Sequence, residues 1–523
     1  MFPKQCIRLR VPPERANSLH QHPLLGMAQG QGGIKKRVLR FYDTPQWSLR
    51  QAGLELLVHN KGAGWRQRLL RVTARGRLGL EKWRGETLVR HDLAGERLEL
   101  LRMLRDPAAA ASFATLDAGT LGHRLTVRVQ QRQLRLSRGA GRSVTLLEEA
   151  GEIVDAGGTT PFHDLVIMAD DDASELGYEI ALSLLHTLQG GLLFVAAEER
   201  SMAQAWPQPV TDEPAWPRLP SMPAVDMAEA YYLLNHALLH ALYDELPQIL
   251  HGRSDKPYAR QRNGVALLEA LALLNQWLPP LAHAQGVELW QKLVEQLQDR
   301  EGWGLFLEAL LEPYAENLDE SFTTAPWLHR SQRYGQQGQQ QLAQLCHGVA
   351  FAQALLGLGL WLARRGWLRR QDEQQPMEPL NHWLRQRLEE NSGPMLAALR
   401  AGKADGLRRS WQQWLLLKLF GALFEQISVS SSHEVALDLS LMEYGIYQEA
   451  LERVLQSGRF VQQVAPLAER FKQVAVEADG ATRADFEAWW QRVLRQQQGL
   501  FAQSMAELEL SAGFWVEHWG EGV

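Results

Sequence analysis

Up to about residue 205 the chain is written in short runs where apolar and polar side chains alternate: CIRLRV, GLELLVH, WRQRLLRV, LTVRVQQRQLRL, SVTLLEE and HDLVIM. A period of two sends successive side chains to opposite faces, so each run predicts a strand with one buried face. The turn-forming segments NKGAG, SRGAGR and DAGG separate these runs and predict an antiparallel arrangement. Two stretches interrupt it with helical spacing, Pro13–Leu25 and Ala173–Leu188. Beyond residue 225 the period changes to that of helices, as in AEAYYLLNHALLHALYDEL and GVALLEALALLNQWL. Long apolar-striped helices with short breaks predict helical bundles.

Between the two patterns lies WPQPVTDEPAWPRLPSMPAVD, with prolines at 207, 209, 214, 217, 220 and 223. Neither a helix nor a central strand tolerates that density, so the segment predicts an extended linker. The expected organisation is therefore a β-rich domain over 1–205, a linker over 206–224 and an all-helical domain over 225–523. The helical domain divides into halves near 225–370 and 371–523. A faint duplication runs through it: KPYARQRNGVALLEALALLNQWL and KADGLRRSWQQWLLLKLFGALF each open a helix with a basic first turn.

Composition narrows the class. The net charge is −5 over 523 residues, but residues 1–205 carry 28 Lys and Arg against 22 Asp and Glu, whereas the remainder carries 27 against 38. Two cysteines, Cys6 and Cys346, exclude a disulfide framework and a cysteine-rich zinc site. The opening residues lack the apolar run of a signal peptide, and the longest apolar stretch, Val349–Ala363, falls short of a membrane span. A soluble cytoplasmic protein with no membrane contact is expected.

The segment RFYDTPQWSLRQAGLELLVHNKGAGWRQRLL resembles a recurring stretch of the CYTH superfamily, the triphosphate-tunnel proteins that include inorganic triphosphatases and class IV adenylate cyclases. LLEEAGEIVDAGGTTPFHDLVIMADD resembles the same family's later hairpin, acidic strand and helix, and the helical part is similar to the CHAD domain. The resemblance implies an α+β chain: an N-terminal antiparallel β-barrel followed by an all-α CHAD-like domain of two bundles. It also implies inward basic side chains that neutralise phosphate and paired carboxylates that hold Mg²⁺ or Mn²⁺.

This chain departs from that pattern at most of the implied positions. The first strand, where Glu-x-Glu-x-Lys is implied, presents Lys4, Cys6, Arg8 and Arg10 on one face. Two implied arginines fall on Leu57 and His59, one lysine on Leu70 and a late lysine on Met202; the acidic strand reads Asp164, Val166, Met168. Arg132, Glu149 and Asp164 are kept, with Lys82, Arg84 and Glu86 in shifted positions. In the helical part an implied histidine is Ala259; Arg260 and Arg262 remain, then Val265, Leu267 and Leu268 follow. The second motif helix keeps Arg408 and Arg409 before turning apolar at Trp411, Trp414, Leu415 and Leu416. A net acidic helical part also opposes polyphosphate binding.

The resulting expectation is a non-catalytic binding or scaffold protein that has lost the triphosphatase metal site, with no catalytic residue and no cofactor. Lys4, Arg8, Arg10, Lys82, Arg84 and Arg132 are candidates for holding a phosphate-containing anion at the barrel. The alternative is a divergent Mg²⁺- or Mn²⁺-dependent triphosphatase, with Glu86, Glu149 and Asp164 as ligands and Arg132 as phosphate clamp, or a polyphosphate binder. Trp411 and Trp414 are candidates for an interaction surface, covered by a protein partner, by a second copy or by the helical part itself. Arg66, Arg68, Arg71, Arg75 and Arg77 lack interleaved aromatics and read as a solvated face rather than a nucleic-acid site. His236 and His240 read as packing rather than metal ligands, and the adjacent Cys346 and His347 face different ways on a helix.

Overall fold

The computed structural model describes residues 5–30, 33–62, 64–72, 85–114, 118–138, 142–170, 173–205, 216, 226–251, 257–278, 281–282, 288, 290–292, 340–368, 380–430, 434–464 and 480–511. The strands are β1 (Gln5–Arg10), β2 (Gln29–Gly30), β3 (Lys35–Asp43), β4 (Leu54–Lys61), β5 (Gly64–Val72), β6 (Gly85–Leu93), β7 (Gly122–Ser137), β8 (Ser143–Asp155), β9 (Gly158–Ala169) and β10 (Leu192–Leu193). They form one antiparallel sheet in the order β10-β1-β9-β8-β7-β3-β4-β5-β6, with β2 against β7. The closed barrel expected from sequence is not what is found: among the described residues the ladder is open. Its end strand β10 has two residues and offers almost no backbone for another edge to pair with.

The chain forms two compact units. The first contains Met1–Val210 together with Leu242–Pro257 and Ala343–Gly366. One face of β1 buries Ile7 and Leu9 under helix α1 (Ser174–Leu188), whose Ile180, Ala181, Leu184 and Leu188 are fully or nearly fully buried. Leu54, Leu56, Leu69 and Val89 pack on Met103, Ala109 and Phe113. The segment Ala197–Ala205 forms helix α2.

Two elements from the predicted helical domain complete this unit. Helix α5 (Val349–Ala363) lies on α1, and a Cβ at Gly359 would stand 2.4 Å from the Tyr178 ring. Arg364 donates to Glu175 at 2.7 Å and also to Glu179. A Cβ at Gly191 would fall 2.1 Å from the His347 carbonyl oxygen, so this close approach requires glycine. Phe194 meets Tyr243 and Phe351 edge-on at 4.8 and 6.4 Å.

The second unit comprises Thr211–Ala241, Tyr258–Leu342 and Trp367–Val523. Helix α3 (Met227–His251) contributes Tyr231 and Asn235, and α4 (Pro257–Trp277) contributes Asn275. Tyr231 Oη donates to Asn275 Oδ1 at 2.6 Å, and Asn275 Nδ2 donates to Asn235 Oδ1 at 3.1 Å, all three fully or nearly fully buried. Further along, α6 (Leu380–Arg400), α7 (Ala404–Ser430), α8 (Glu434–Arg459) and α9 (Gly480–Ser511) pack in sequential pairs. A second polar layer joins them: Asn391 Nδ2 donates to Gln413 Oε1 at 2.8 Å, and Gln413 Nε2 donates to Tyr447 Oη at 2.8 Å. Among the described residues no single helix is long and apolar enough to cross a membrane; Gln340–Cys346 with Val349–Ala363 qualify only as a pair bent by 49°.

Candidate functional site

Strand pairing gathers the chemistry onto the sheet face opposite α1. Gln131 on β7, Glu149 on β8 and Asp164 on β9 stand opposite one another across the ladder. Arg8 reaches in from β1, donating to Glu149 at 2.7 Å and to Asp164 at 3.0 Å. Gln131 donates to the other Glu149 oxygen at 2.7 Å. Arg200, from α2, donates to both oxygens of the fully buried Asp164 at 3.2 Å. Burial alone would push the Arg8 guanidinium down, but Glu149 and Asp164 together hold it above its ordinary value.

Helix α2 lays a second set of carboxylates beside this row. Arg50 grips Glu199 with both terminal nitrogens, and both side chains are buried. Burial pushes Glu198 up to about 7; Glu149 and Glu199 add to the rise and Arg8 opposes it. Burial likewise raises Glu55 well above the usual carboxylate range, with Glu199 adding to it and Arg50 opposing. Each of Arg8, Arg50 and Arg200 thus already faces a carboxylate. With Glu149, Asp164, Glu198, Glu199 and Glu55 around them, this group of side chains carries no surplus of positive charge, whereas Arg66 and Arg68 continue the same face along β5.

The residues that replace the basic positions implied by resemblance meet in one place. Leu57, Leu70 and Met202 belong to a single buried cluster with Phe41, Trp47, Leu125, Val127, Val129, Ile153 and Ala197. Pairing explains the gathering: Leu57 stands opposite Arg68 and Phe41, and Leu70 opposite Glu55, so these positions share a face. His59, half-buried beside them, is lowered chiefly by burial and further by nearby arginines; its Nε2 has no partner among the described residues.

The remaining candidates are dispersed. Arg132 pairs with Glu148, one register step from the Gln131–Glu149 pair, so it lies on the opposite face from Glu149 and Asp164 and only 4.0 Å from Glu148. The clamp role expected of Arg132 therefore fails on strand parity. Glu148 accepts from His20 at 2.8 Å and His163 at 2.9 Å; these bonds overcome burial and hold its carboxyl down at about 2. Arg10 is exposed. Glu86 is on β6, across from Arg71, at the far end of the ladder. Lys4, Lys82, Arg84, Arg75 and Arg77 lie outside the described residues. Arg66 and Arg68 alternate onto the face of His59 and Leu57 while Arg71 takes the other, so the three form no single basic stripe.

Among the described residues no group of three or more His, Cys, Asp or Glu is arranged to hold a metal ion. Glu149 and Asp164, the carboxylates that resemblance would give to Mg²⁺ or Mn²⁺, each hold a guanidinium instead, so the donor set does not fit the ion. His236 packs on the Tyr232 ring at 4.6 Å, and burial lowers it. Cys346 is fully buried and its thiol is pushed up to about 12, which removes it as a nucleophile. Sequence reasoning missed Arg50, Glu55, Glu198, Glu199 and Arg200. The available signal was the Glu-Glu-Arg run opening EERSMAQAW, three charges in the first turn of a short helix.

No protein-family model matches the chain, and no curated protein does. A solved structure of a putative adenylate cyclase from Bacillus halodurans is similar at 15% identity over 36% of this chain and 92% of that one, with a TM-score of 0.24. A putative adenylyl cyclase from Hippeastrum, described as having a dominant triphosphatase activity, is similar at 13% identity over 38% of this chain and 92% of that one, with a TM-score of 0.25.

Proposed function

We propose that this chain is a non-catalytic protein of CYTH–CHAD type, in which the tunnel face has been rebuilt as structural interior and the helical part serves binding. The observation that carries the reading is the single apolar cluster of Leu57, Leu70 and Met202, the three positions where resemblance implies phosphate-binding cations. Loss of one such charge weakens a phosphoryl-transfer site by orders of magnitude, and burial of its replacement in a packed cluster leaves no room to recover it. The Arg8 bridge supports the same reading, because it satisfies with protein the two carboxylates that an ion would need.

The test is phosphate release from tripolyphosphate by the full chain with Mg²⁺ or Mn²⁺. The expected result is a rate equal to that of buffer with the same metal. Metal-dependent release that disappears in Asp164→Ala would overturn the proposal in favour of a divergent triphosphatase.

A further inference from the structure

Helix α7 carries Trp411, Trp414 and Lys418 at successive helical steps on one face. Trp411 and Trp414 stack with ring centroids 4.8 Å apart and an interplanar angle of 18°. Arg459, from the end of α8, lies over Trp411 at 4.4 Å, and Lys418 lies over Trp414 at 5.0 Å, so two cations flank the indole pair. Into this arrangement comes Trp216 from the proline-rich segment, edge-on to Trp411 at 6.2 Å and to Trp414 at 5.3 Å.

Two further features describe this cluster. The indole N–H groups of Trp216, Trp411 and Trp414 are all buried, and none has an acceptor among the described residues. The third ring comes from neither helix: Trp216 stands between Pro214 and Pro217 in DEPAWPRLP, a composition that pre-orders an extended peptide and lowers the entropy lost on docking. Asp212 and Glu213 precede it, with charge opposite to that of Arg459 and Lys418.

We propose that the Trp411–Trp414 face is a recognition site for a proline-flanked tryptophan peptide, and that the chain's own Trp216 is its resident ligand. Trp216 acts as the anchor, and its recognition uses edge-on contact with a cation-flanked indole pair. The same segment of a second copy presents the same chemistry, so exchange between copies is available whenever the resident anchor is withdrawn. The inference stands apart from the sheet face and does not depend on the loss of catalysis there.

The test uses the full chain and a fluorescently labelled peptide, Asp212–Pro220, read by fluorescence anisotropy. Trp216→Ala should bind the peptide saturably and at least about tenfold more tightly than the wild type, whose site is filled. Trp216→Ala combined with Trp411→Ala should lose that binding. Equal affinity of wild type and Trp216→Ala, or full retention of binding in the double variant, would overturn the proposal. If Trp216→Ala does not show the wild-type circular dichroism, Trp216→Leu removes the indole anchor while keeping apolar bulk and should still bind the peptide more tightly than the wild type. A peptide with Ala in place of Trp that binds equally well would overturn the proposal.

Discussion

The two units bury their polar groups with opposite chemistry. In the sheet unit the buried polarity is ionic: Arg8 with Glu149 and Asp164, Arg200 with Asp164, and Arg50 with Glu199. In the helical unit two hydrogen-bonded layers are neutral: Tyr231, Asn235 and Asn275 in one, and Asn391, Gln413 and Tyr447 in the other. A neutral layer costs little when complete and is indifferent to pH, whereas an ionic one is worth most as a whole and exacts a large penalty when one member is removed. The sheet unit keeps the charged residue types of a ligand site but closes them on one another. The helical unit builds these two layers without charge, buries the carboxylate of Glu269 apart from them, and sets two cations against the indole pair.

Removing one charge is the strongest way to break this comparison. Arg8→Met should destabilise the protein by about 3–5 kcal/mol, because among the described residues Glu149 then keeps only Gln131 and Asp164 only Arg200. Urea denaturation followed by circular dichroism measures it, and a loss below about 1 kcal/mol would show that these charges are not acting as one network.

The pH dependence should sharpen it. Glu198 is held at about 7 in the folded chain, above the ordinary carboxylate value, so the native state binds the extra proton. Its effect is absent below the unfolded pKa; as pH rises from about 4.5 towards 7, stability falls, by roughly 1–3 kcal/mol for this half-buried group. Glu198→Gln should remove that fall and be the more stable protein at pH 8. A wild-type profile that rises with pH across the same window, unaltered by the substitution, would contradict the assignment.

In the helical unit Asn275→Ala should cost about 2 kcal/mol, by leaving the Tyr231 hydroxyl and the Asn235 amide without their partner. The cost should be the same at pH 5 and pH 8, measured by thermal unfolding. A pH-dependent cost would mean that the neutral layer is coupled to a titrating group.

Much of the sheet was legible because strand parity is arithmetic. The alternation in LTVRVQQRQLRL and LLEEAGE puts Gln131 and Glu149 on one face and Arg132 and Glu148 on the other once the two strands are paired. The reading erred on Arg132 because register, not periodicity, decides which parity faces inward. The roles of Arg50, Glu198 and Glu199 were hard to read for another reason: they come from two short helices far apart in sequence, and the Glu-Glu-Arg run marks charge without announcing that Arg50 meets Glu199. Leu57, Leu70 and Met202 were recognised singly as departures, but only folding shows that they are one cluster. The place of Val349–Ala363 in the sheet unit was hidden by its uniform apolarity, which marks a helix as buried without saying against what.

The close approach of Gly191 to His347 has a consequence for how the chain reaches its native state. The two residues are far apart in sequence, yet the backbone of one leaves no room for a side chain on the other. During synthesis the sheet therefore emerges long before the helix that covers α1, and the first unit remains incomplete until Gly366 has left the ribosome. Closing so long a loop raises contact order and slows folding. Over that interval the exposed side of α1 has to be kept from other chains, so the maturing protein is most vulnerable to aggregation in the middle of its own translation.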